Sequence, residues 1–415
     1  YTACLAHADV TYKVAGVGAA LVSRVVAYLD HNDQCRLAKL ARSPAVPLHQ
    51  HVIEVALRQL RNGAGISTIQ STNLDMLTHR VYRDQSTFDE ATANHRYELL
   101  PSDFSGLYRQ HYRKAYAVDV KIAAEHNVDN WLNPKSTHFK PGVHEAVFYY
   151  NARATTDERL KVSVATPEMK EAAWKYCHKK QLVLDGTFGL CTSRLLVWIA
   201  LGVNESGYGV PVVMFLFSAP TGNKATHAGY DTNILTELLS KWKEWLGKRD
   251  GESFTPYVAI TDTDFKERGA LIRVWGNLIL LLCKFHIRQC WTNKRKNVLP
   301  RGESYWQTYL NTRLLSLEEA LLNSTDRTTA LGLIEAAREE CSFIGLENDG
   351  KLYIGGLGKY LDYMISTWMP AELWASWSRY GREKAAQYLK IPLECVIPTT
   401  NHLESLNGNL KRKYV

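Results

Sequence analysis

Short apolar runs alternate with helical patterns in the middle of the chain. The runs QLVLDGTFGL, RLLVWIALGV and VPVVMFLFSA each end at glycine or proline signals. They predict three consecutive strands in an antiparallel meander. An amphipathic helix capped by Asp231 follows, then the strand YVAITD, a helix from about Lys266 to Val274 and the strand NLILLLC. Two further strands, AVFYYNARA and RLKVSVA, precede a helix that opens at Thr166-Pro167-Glu168. The order predicts an α/β fold with a mixed sheet flanked by helices.

The N-terminal region is less regular. VTYKVAG and RVVAYLD predict strands, and apolar positions between Pro47 and Arg80 recur at helical spacing on both sides of Asn62-Gly63. The two helices form either a plain hairpin or a helix-turn-helix that reads a major groove. In the second case the side chains facing DNA would be Gln70, Asn73 and Arg80.

Polar stretches and helical periodicity predict where the remaining boundaries lie. Residues 81–100 predict a linker, a helix begins near Ser102, and residues 129–142 predict a loop. Amphipathic helices run from about Glu303 to Leu389. We therefore expect an α+β DNA-binding region with a zinc-binding unit at 1–45, helices and a linker at 46–100 and a connector at 101–144. The catalytic core would span 145–300, a helical insertion 301–395, and a helix completing the core 396–415.

Composition narrows the class of protein. With 46% hydrophobic and 22% charged residues the chain is globular rather than disordered. A net charge of +8 is compatible with nucleic-acid binding but does not establish it. Eight cysteines are too few for a secreted disulfide framework, which favours a reducing compartment. No apolar stretch is long enough to span a bilayer, so no membrane partner is expected.

Three acids follow the predicted elements in an informative order. Asp185 and Asp262 each end an apolar strand, and Glu404 lies in the first turn of the last helix. Two unpaired carboxylates about 4 Å apart repel by about 4 kcal/mol at an effective dielectric near 20, so such a pair requires divalent cations. Two Mg²⁺ or Mn²⁺ ions held by these acids would suit an in-line displacement at phosphorus. Asp264 competes with Asp262, but it lies where a helix cap is expected.

A second metal site is suggested near the N-terminus. Cys4, His7, His31 and Cys35 form the arrangement C-x2-H-x23-H-x3-C, two close pairs that could hold a tetrahedral Zn²⁺. The alternative is that these residues are scattered through a fold that needs no metal.

Basic residues concentrate after the last predicted strand of the core. No acid interrupts the segment from Lys284 to Arg301, which predicts a surface for the DNA backbone. Cys283 and His286 at its start are either a packed structural pair or, with Cys290, metal ligands; His286 could also steady a phosphate. The predicted DNA contacts are Lys284, Arg288, Lys294, Arg295, Lys296, Lys411 and Arg412.

Four motifs taken together resemble a known family. LDGTFG, AITDTDFKERGAL, LLCKFHIRQCW and TTNHLESLNGNLKRK are similar to the transposases of Mutator-like elements of the fungal type, over roughly residues 145–415. The resemblance implies a ribonuclease-H-like DDE catalytic domain with Asp185, Asp262 and Glu404 as its metal-binding triad. It also implies a Cys-x2-His motif, matched by Cys283 and His286, and a helical insertion before the glutamate.

These features together predict a cut-and-paste DNA transposase located in the nucleus. Its partners would be the terminal inverted repeats of a transposon, the target DNA and a second copy of the chain, because two ends must be brought together. Two alternatives stay open: a host-adopted, non-catalytic DNA-binding regulator, and a nuclease of the same fold.

Overall fold

The computed structural model describes residues 7–14, 20–28, 47–85, 95–119, 122–153, 158–187, 195–218, 231–300, 305–346 and 350–414. Side chains are described for these residues except 7–23, 28, 187, 345, 409 and 411–414. The contacts divide the chain into two compact units, Tyr1–Lys121 and Ile122–Val415. No helix in the described ranges combines the length and the apolar character needed to cross a membrane.

The first unit contains a β-hairpin and three helices. The apolar runs predicted two strands here, and these strands pair antiparallel with each other. Asn62 and Gly63, the latter at φ 80°, end the first helix where the sequence placed its stop. The elements are β1 (His7–Val14), β2 (Ala20–Tyr28), α1 (Gln50–Arg61), α2 (Ile66–Thr78) and α3 (Phe104–Tyr116).

The predicted linker at 81–100 is partly core instead. Tyr82, Tyr97 and Leu99 are buried against α1 and α3. The Asn73 side chain fixes this packing, because it donates to the Tyr82 hydroxyl and the Tyr97 carbonyl and accepts from the Leu99 N–H. Isolated apolar residues in a polar stretch have no periodicity, so the sequence pattern missed them.

The second unit is built on one seven-stranded sheet with helices on both faces. Its elements, in chain order, are α4 (Ala124–Leu132), α5 (Pro141–Ala146), β3 (Val147–Asn151), β4 (Lys161–Val164), α6 (Pro167–Tyr176), β5 (Gln181–Thr187), β6 (Leu196–Val203), β7 (Gly209–Phe217), α7 (Thr232–Leu246), β8 (Lys248–Arg249), β9 (Glu252–Ser253), β10 (Val258–Thr261), α8 (Phe265–Trp275), β11 (Ile279–Leu282), α9 (Lys284–Val298), α10 (Tyr305–Leu322), α11 (Arg327–Glu340), α12 (Lys351–Tyr363), α13 (Ala371–Trp377), α14 (Arg379–Leu389) and α15 (Asn401–Tyr414).

The order of strands in this sheet is β11-β10-β5-β6-β7-β4-β3. β5, β6 and β7 form the predicted antiparallel meander, and β10 pairs parallel with both β5 and β11. The expectation of an α/β fold with a mixed sheet between helices is therefore confirmed. The predicted loop at 129–142 is wrong at both ends, since α4 extends to Leu132 and α5 begins at Pro141.

Alternation along β5 divides the sheet into two faces. Leu182 and Leu184 pack with α6, α7 and α8 on one face, and Val183 packs with α14 and α15 on the other. The helices α10 to α13 form a separate core with α9, around Trp291 and Trp377. The helical insertion predicted from the amphipathic pattern is thus a packed layer with its own buried residues.

Candidate active site

Asp185 is an ionisable group placed two residues before the end of a buried strand, β5. It follows Leu182, Val183 and Leu184, all fully buried, and is itself only 7% exposed. Strand alternation directs its side chain to the same face as Val183, where α15 packs. Burial and the charges of nearby acids raise the pKa of Asp185 to about 6, against the opposing effect of His286.

Asp262 lies next to Asp185 because of the strand register. Ile260 of β10 is paired with Val183 of β5 in parallel. Continuing that register by two residues sets Asp262 beside Asp185, on strands that are typically about 4.8 Å apart. Burial raises the pKa of Asp262, and the charge of Asp264 adds to the rise.

Asp264 has the structural role that its position suggested. Its Oδ1 accepts the Lys266 N–H at 2.7 Å and so caps α8. The Asp264 N–H in turn donates to Asp262 Oδ1 at 2.7 Å. One acid therefore caps the helix while the other remains at the strand end beside Asp185, which supports the choice of Asp262.

Glu404 faces this pair from the first turn of α15. Its charge raises the pKa of Asp185, so the two carboxylates lie within electrostatic reach of each other. His286 Nε2 lies 3.8 Å from Glu404 Oε1. The structure thus brings the three acids predicted from sequence into one region, although Glu404 is far from the others along the chain.

The segment before α15 is anchored to the sheet by two polar side chains. Gln181, at the start of β5, donates to the Cys395 carbonyl and accepts the Ile397 N–H. Arg382 is buried and donates to the carbonyls of Leu282 and Ile397 at 2.8 and 3.0 Å. These bonds join the end of β11, the insertion and the approach to α15, which fixes where α15, the helix that carries Glu404, begins.

Cys283 and His286 form part of the same anchor. Cys283 Sγ accepts hydrogen bonds from Thr400 N at 3.3 Å and from Thr400 Oγ1 at 3.5 Å. Burial raises the pKa of this thiol, but the contacts from His286 and Thr400 outweigh it and lower the pKa overall. The pKa of His286 is raised by Cys283 first, against burial, and also by Asp185 and Asp262. The pair therefore joins α9 to α15, and a charged His286 offsets part of the acidic charge.

A fourth acid, Glu267, was not identified from the sequence. It lies in the first turn of α8, is 2% exposed, and its Oε2 has no hydrogen-bond partner in the described residues. Burial raises its pKa well above the ordinary value, and Asp262 and Asp185 raise it further. Gly186 of β5 is its neighbour, since a Cβ added at Gly186 would lie 3.7 Å from Glu267 Oε1. The only available signal was its place three residues after Asp264, a spacing that usually marks a surface capping box.

The donor set suits a hard divalent cation in its chemistry. Carboxylate oxygens are the ligands that Mg²⁺ prefers. Burial first, and neighbouring acids after it, raise the pKa values of Asp185 and Asp262, and a bound cation would oppose both effects. Within the described ranges, however, no three His, Cys, Asp or Glu side chains converge closely enough to hold a metal ion. The type of donor therefore fits a cation, while the spacing does not form a closed cage.

The predicted DNA-contacting residues of α9 differ in their availability. Arg295 is 7% exposed and paired with the buried Glu318, so its prediction as a DNA contact is wrong. Arg288 pairs with Glu319 at 2.5 Å, and Lys294 Nζ lies 4.9 Å from the centroid of the Tyr363 ring. Lys296 is exposed and Lys284 is half-buried. Lys411 and Arg412 lie in α15, with side chains outside the described set.

The N-terminal predictions are affected in two ways. Asn73 is 4% exposed and its hydrogen bonds are made inside the unit, so it is not a base-reading residue. Gln70 is half-buried and Arg80 is exposed. Of the predicted zinc ligands, Cys4, His31 and Cys35 lie outside the described residues, and His7 begins β1.

Comparison with known proteins adds no family to this picture. No protein-family model matches the chain. No curated protein matches its sequence either.

Proposed function

We propose that this protein is a DNA transposase with a ribonuclease-H-like DDE catalytic domain. It would cut phosphodiester bonds at transposon ends and join the freed 3′-hydroxyl to target DNA. The observation that carries the proposal is the meeting of Asp185 and Asp262 at neighbouring strand ends, with the charge of Glu404 close enough to raise the pKa of Asp185. Three carboxyl groups at one edge of a sheet are costly without a cation and have an evident use with one.

The order of elements supports the same proposal. An antiparallel meander followed by parallel strands on the side of its first strand is the arrangement expected of a ribonuclease-H-like domain. The helical layer between β11 and α15 corresponds to the insertion that the resemblance implies. If the strands of this domain are counted from β5, Asp185 lies on the first strand and Asp262 follows the fourth, β10. With Glu404 on the last helix, α15, they are the triad expected of such a domain.

Asp185, Asp262 and Glu404 would hold two Mg²⁺ or Mn²⁺ ions. When bound, these ions supply an activated water and stabilise the charge that develops on the phosphate oxygens. In their absence a charged His286 balances part of the acidic charge. Thr400, Cys283 and Arg382 would keep Glu404 directed toward the strand ends.

The remaining parts of the proposal concern partners. Lys296 and Lys284 are the α9 cations best placed to contact the DNA backbone, with Lys411 and Arg412 beyond Glu404 on the last helix. We propose action in the nucleus as a homodimer or larger assembly, because two DNA ends must be handled together. Cys4, His7, His31 and Cys35 would hold a Zn²⁺ ion that supports DNA binding by the N-terminal region.

A cleavage assay tests the proposal. The substrate is duplex DNA carrying the genomic sequences that flank the coding region, incubated with protein and Mn²⁺ or Mg²⁺. Wild-type protein should nick at the flank, while Asp185→Asn, Asp262→Asn and Glu404→Gln should lose cleavage and still bind the duplex. Cleavage that persists in Asp185→Asn, or that needs no divalent cation, would exclude the assigned site.

A non-catalytic DNA-binding protein of the same fold is the second candidate. The observation in its favour is that, among the residues the structure describes, no three His, Cys, Asp or Glu side chains converge closely enough to hold a metal ion. It predicts equal duplex binding by the wild type and all three acid variants, with no cleavage by any of them.

A further inference from the structure

A large groove opens beside the acids on the insertion side of the sheet. Its volume is about 1020 Å³. One wall is the face of α8 that carries Phe265, Arg268 and Arg273, and the start of β11 forms the floor. The opposite wall comes from α13 and α14. The groove therefore lies between the edge of the catalytic sheet and the helical insertion.

The charge of the groove has one dominant sign. Arg268, Arg273, Arg327 and Lys384 line it, against the single acid Glu372. None of these four cations has a carboxylate at ion-pair distance within the described ranges. Arg273 donates to Asn233 Oδ1 at 2.7 Å, and Arg327 donates to the Met369 carbonyl at 2.7 Å. Neutral partners thus hold the guanidinium groups in position without cancelling their charge.

Aromatic rings accompany these cations. Phe265 is 68% exposed although it is a large apolar residue. Tyr380 stacks on Trp374 with ring centroids 5.1 Å apart, and Lys384 Nζ lies 4.5 Å from the Tyr380 centroid. Cations for phosphates beside rings for bases are the combination that binds single-stranded nucleic acid.

The groove begins at the acid site. Phe265 directly follows Asp264, the cap of α8, and Arg268 lies one turn further on. The Arg268 Nη1 is buried and has no hydrogen-bond partner in the described part of the chain. From Phe265 to Arg273 the helix rises about 12 Å, the length of three or four stacked nucleotides of one strand.

We propose that this groove holds a single DNA strand that passes the acid site, with its phosphates on the four cations and a base against the exposed ring of Phe265. The inference rests on the proposed function for the identity of the strand. It adds a binding site that includes the helical insertion.

Two groove variants test it through binding of a short fluorescent single-stranded DNA. The first is the double variant Arg273→Glu/Lys384→Glu. The side chains of Arg273 and Lys384 are both exposed, so this variant should still fold. We expect at least tenfold weaker binding and a salt dependence reduced by about 1.4 in slope, for two lost phosphate contacts. Phe265→Ala should weaken binding several-fold at unchanged salt slope, because a stacking contact is lost.

Matched controls lie outside the groove. Lys351→Glu/Lys359→Glu makes the same charge change at two exposed lysines of α12. Tyr208→Ala removes an aromatic ring that is 70% exposed in the β6–β7 turn. Both controls should bind within about twofold of wild type, a difference of about 0.4 kcal/mol.

The outcomes separate this inference from the proposed function. If the groove variants and the control variants bind single-stranded DNA equally, the proposed strand-binding role of the groove is wrong. The occupant of the groove would then be a protein segment. This conclusion would hold even if Asp185→Asn abolishes cleavage. Loss of single-strand binding in the groove variants alone would support the groove. If the wild type then cut no DNA, only the catalytic proposal would fall.

Discussion

Several carboxyl groups near one another must share protons or be balanced by positive charge. In this protein raised carboxyl pKa values and a nearby positive charge are both present. Asp185 has a pKa raised to about 6, and the charge of His286 opposes that rise. Glu267, beneath Gly186, has its pKa raised well above the ordinary value by burial. The arrangement stores an electrostatic cost that a bound divalent cation would relieve.

Removing the Asp185 charge should therefore stabilise the protein in the absence of divalent cations. Its folded pKa of about 6 exceeds the ordinary 3.8, so the folded state retains the proton longer and the free energy of unfolding falls as pH rises through this window. Above pH 6 the penalty is about 3 kcal/mol. Urea denaturation in EDTA should show Asp185→Asn more stable than wild type at pH 7.5, with the difference vanishing near pH 3.5. A variant less stable at pH 7.5 would contradict this assignment.

Two buried glutamates should respond differently to the same substitution. Burial raises the pKa of Glu267 well above its ordinary value and so favours the neutral carboxyl group, which glutamine resembles in shape and charge. Glu267→Gln should therefore change the unfolding free energy by about 1 kcal/mol or less. Glu318 holds the buried Arg295 and accepts from the Tyr360 hydroxyl. Glu318→Gln should cost about 3 to 5 kcal/mol, because a buried cation loses its partner. Equal losses in the two variants would show that Glu267 is ionised.

At the scale of elements, the site depends on how α15 is held against the sheet. Its approach is fixed through Gln181, Arg382 and Cys283, and its first turn packs on the start of β7. A Cβ at Gly209 would lie 2.8 Å from the Cβ of His402, so only glycine leaves room for the helix there. Two residues later comes Glu404.

Gly209→Ala should displace the first turn of α15. The overlap involves a Cβ rather than a flexible side-chain end, so the helix itself must shift, at about 1 to 3 kcal/mol in unfolding free energy. Gly358→Ala in α12 is the control, because nothing lies within 4 Å of its added Cβ. Hydrogen exchange of α15 amides should speed up in Gly209→Ala alone. Unchanged exchange would mean that this contact does not position the helix.

Much of this arrangement could be predicted from local patterns. Apolar runs predicted β5, β6, β7 and β10, and cap signals predicted Thr166, Asp231 and Asp264 as helix starts, each with its side-chain hydrogen bond observed. Parallel strand ends brought Asp185 and Asp262 together as expected. The anchoring bonds of Gln181 and Arg382 could not be predicted, because they join segments distant in sequence through backbone carbonyls that any residue supplies.

The errors have the same physical origin. The basic segment after β11 predicts Arg295 as a DNA contact, and the possible helix-turn-helix predicts Asn73 as one. Tertiary packing buries both side chains with internal partners. The spacing between Asp264 and Glu267 predicts an exposed capping box. Because α8 packs against β5 and β6, Glu267 is buried instead. Side-chain exposure is decided by elements far along the chain, which a local pattern does not contain.

At the scale of the whole molecule, the chain carries a net charge of +8, and acidic and basic side chains of the second unit are gathered in separate places. The carboxyl groups of Asp185, Asp262, Glu404 and Glu267 lie near the carboxyl ends of β5 and β10. Cations without a carboxylate partner among the described residues line the groove toward the insertion. An acidic centre beside a basic groove is the layout expected for a protein that holds a phosphate backbone against divalent ions.

The most direct test of this account is Mn²⁺ binding, followed by electron paramagnetic resonance during titration of the protein without DNA. We predict that the wild type binds Mn²⁺ and that Asp185→Asn, Asp262→Asn and Glu404→Gln each lose bound ion. Asp264→Asn is the matched control and should bind as wild type, because asparagine caps a helix as well as aspartate does. Full Mn²⁺ binding by Asp185→Asn, or its loss in Asp264→Asn, would contradict the assignment of the site.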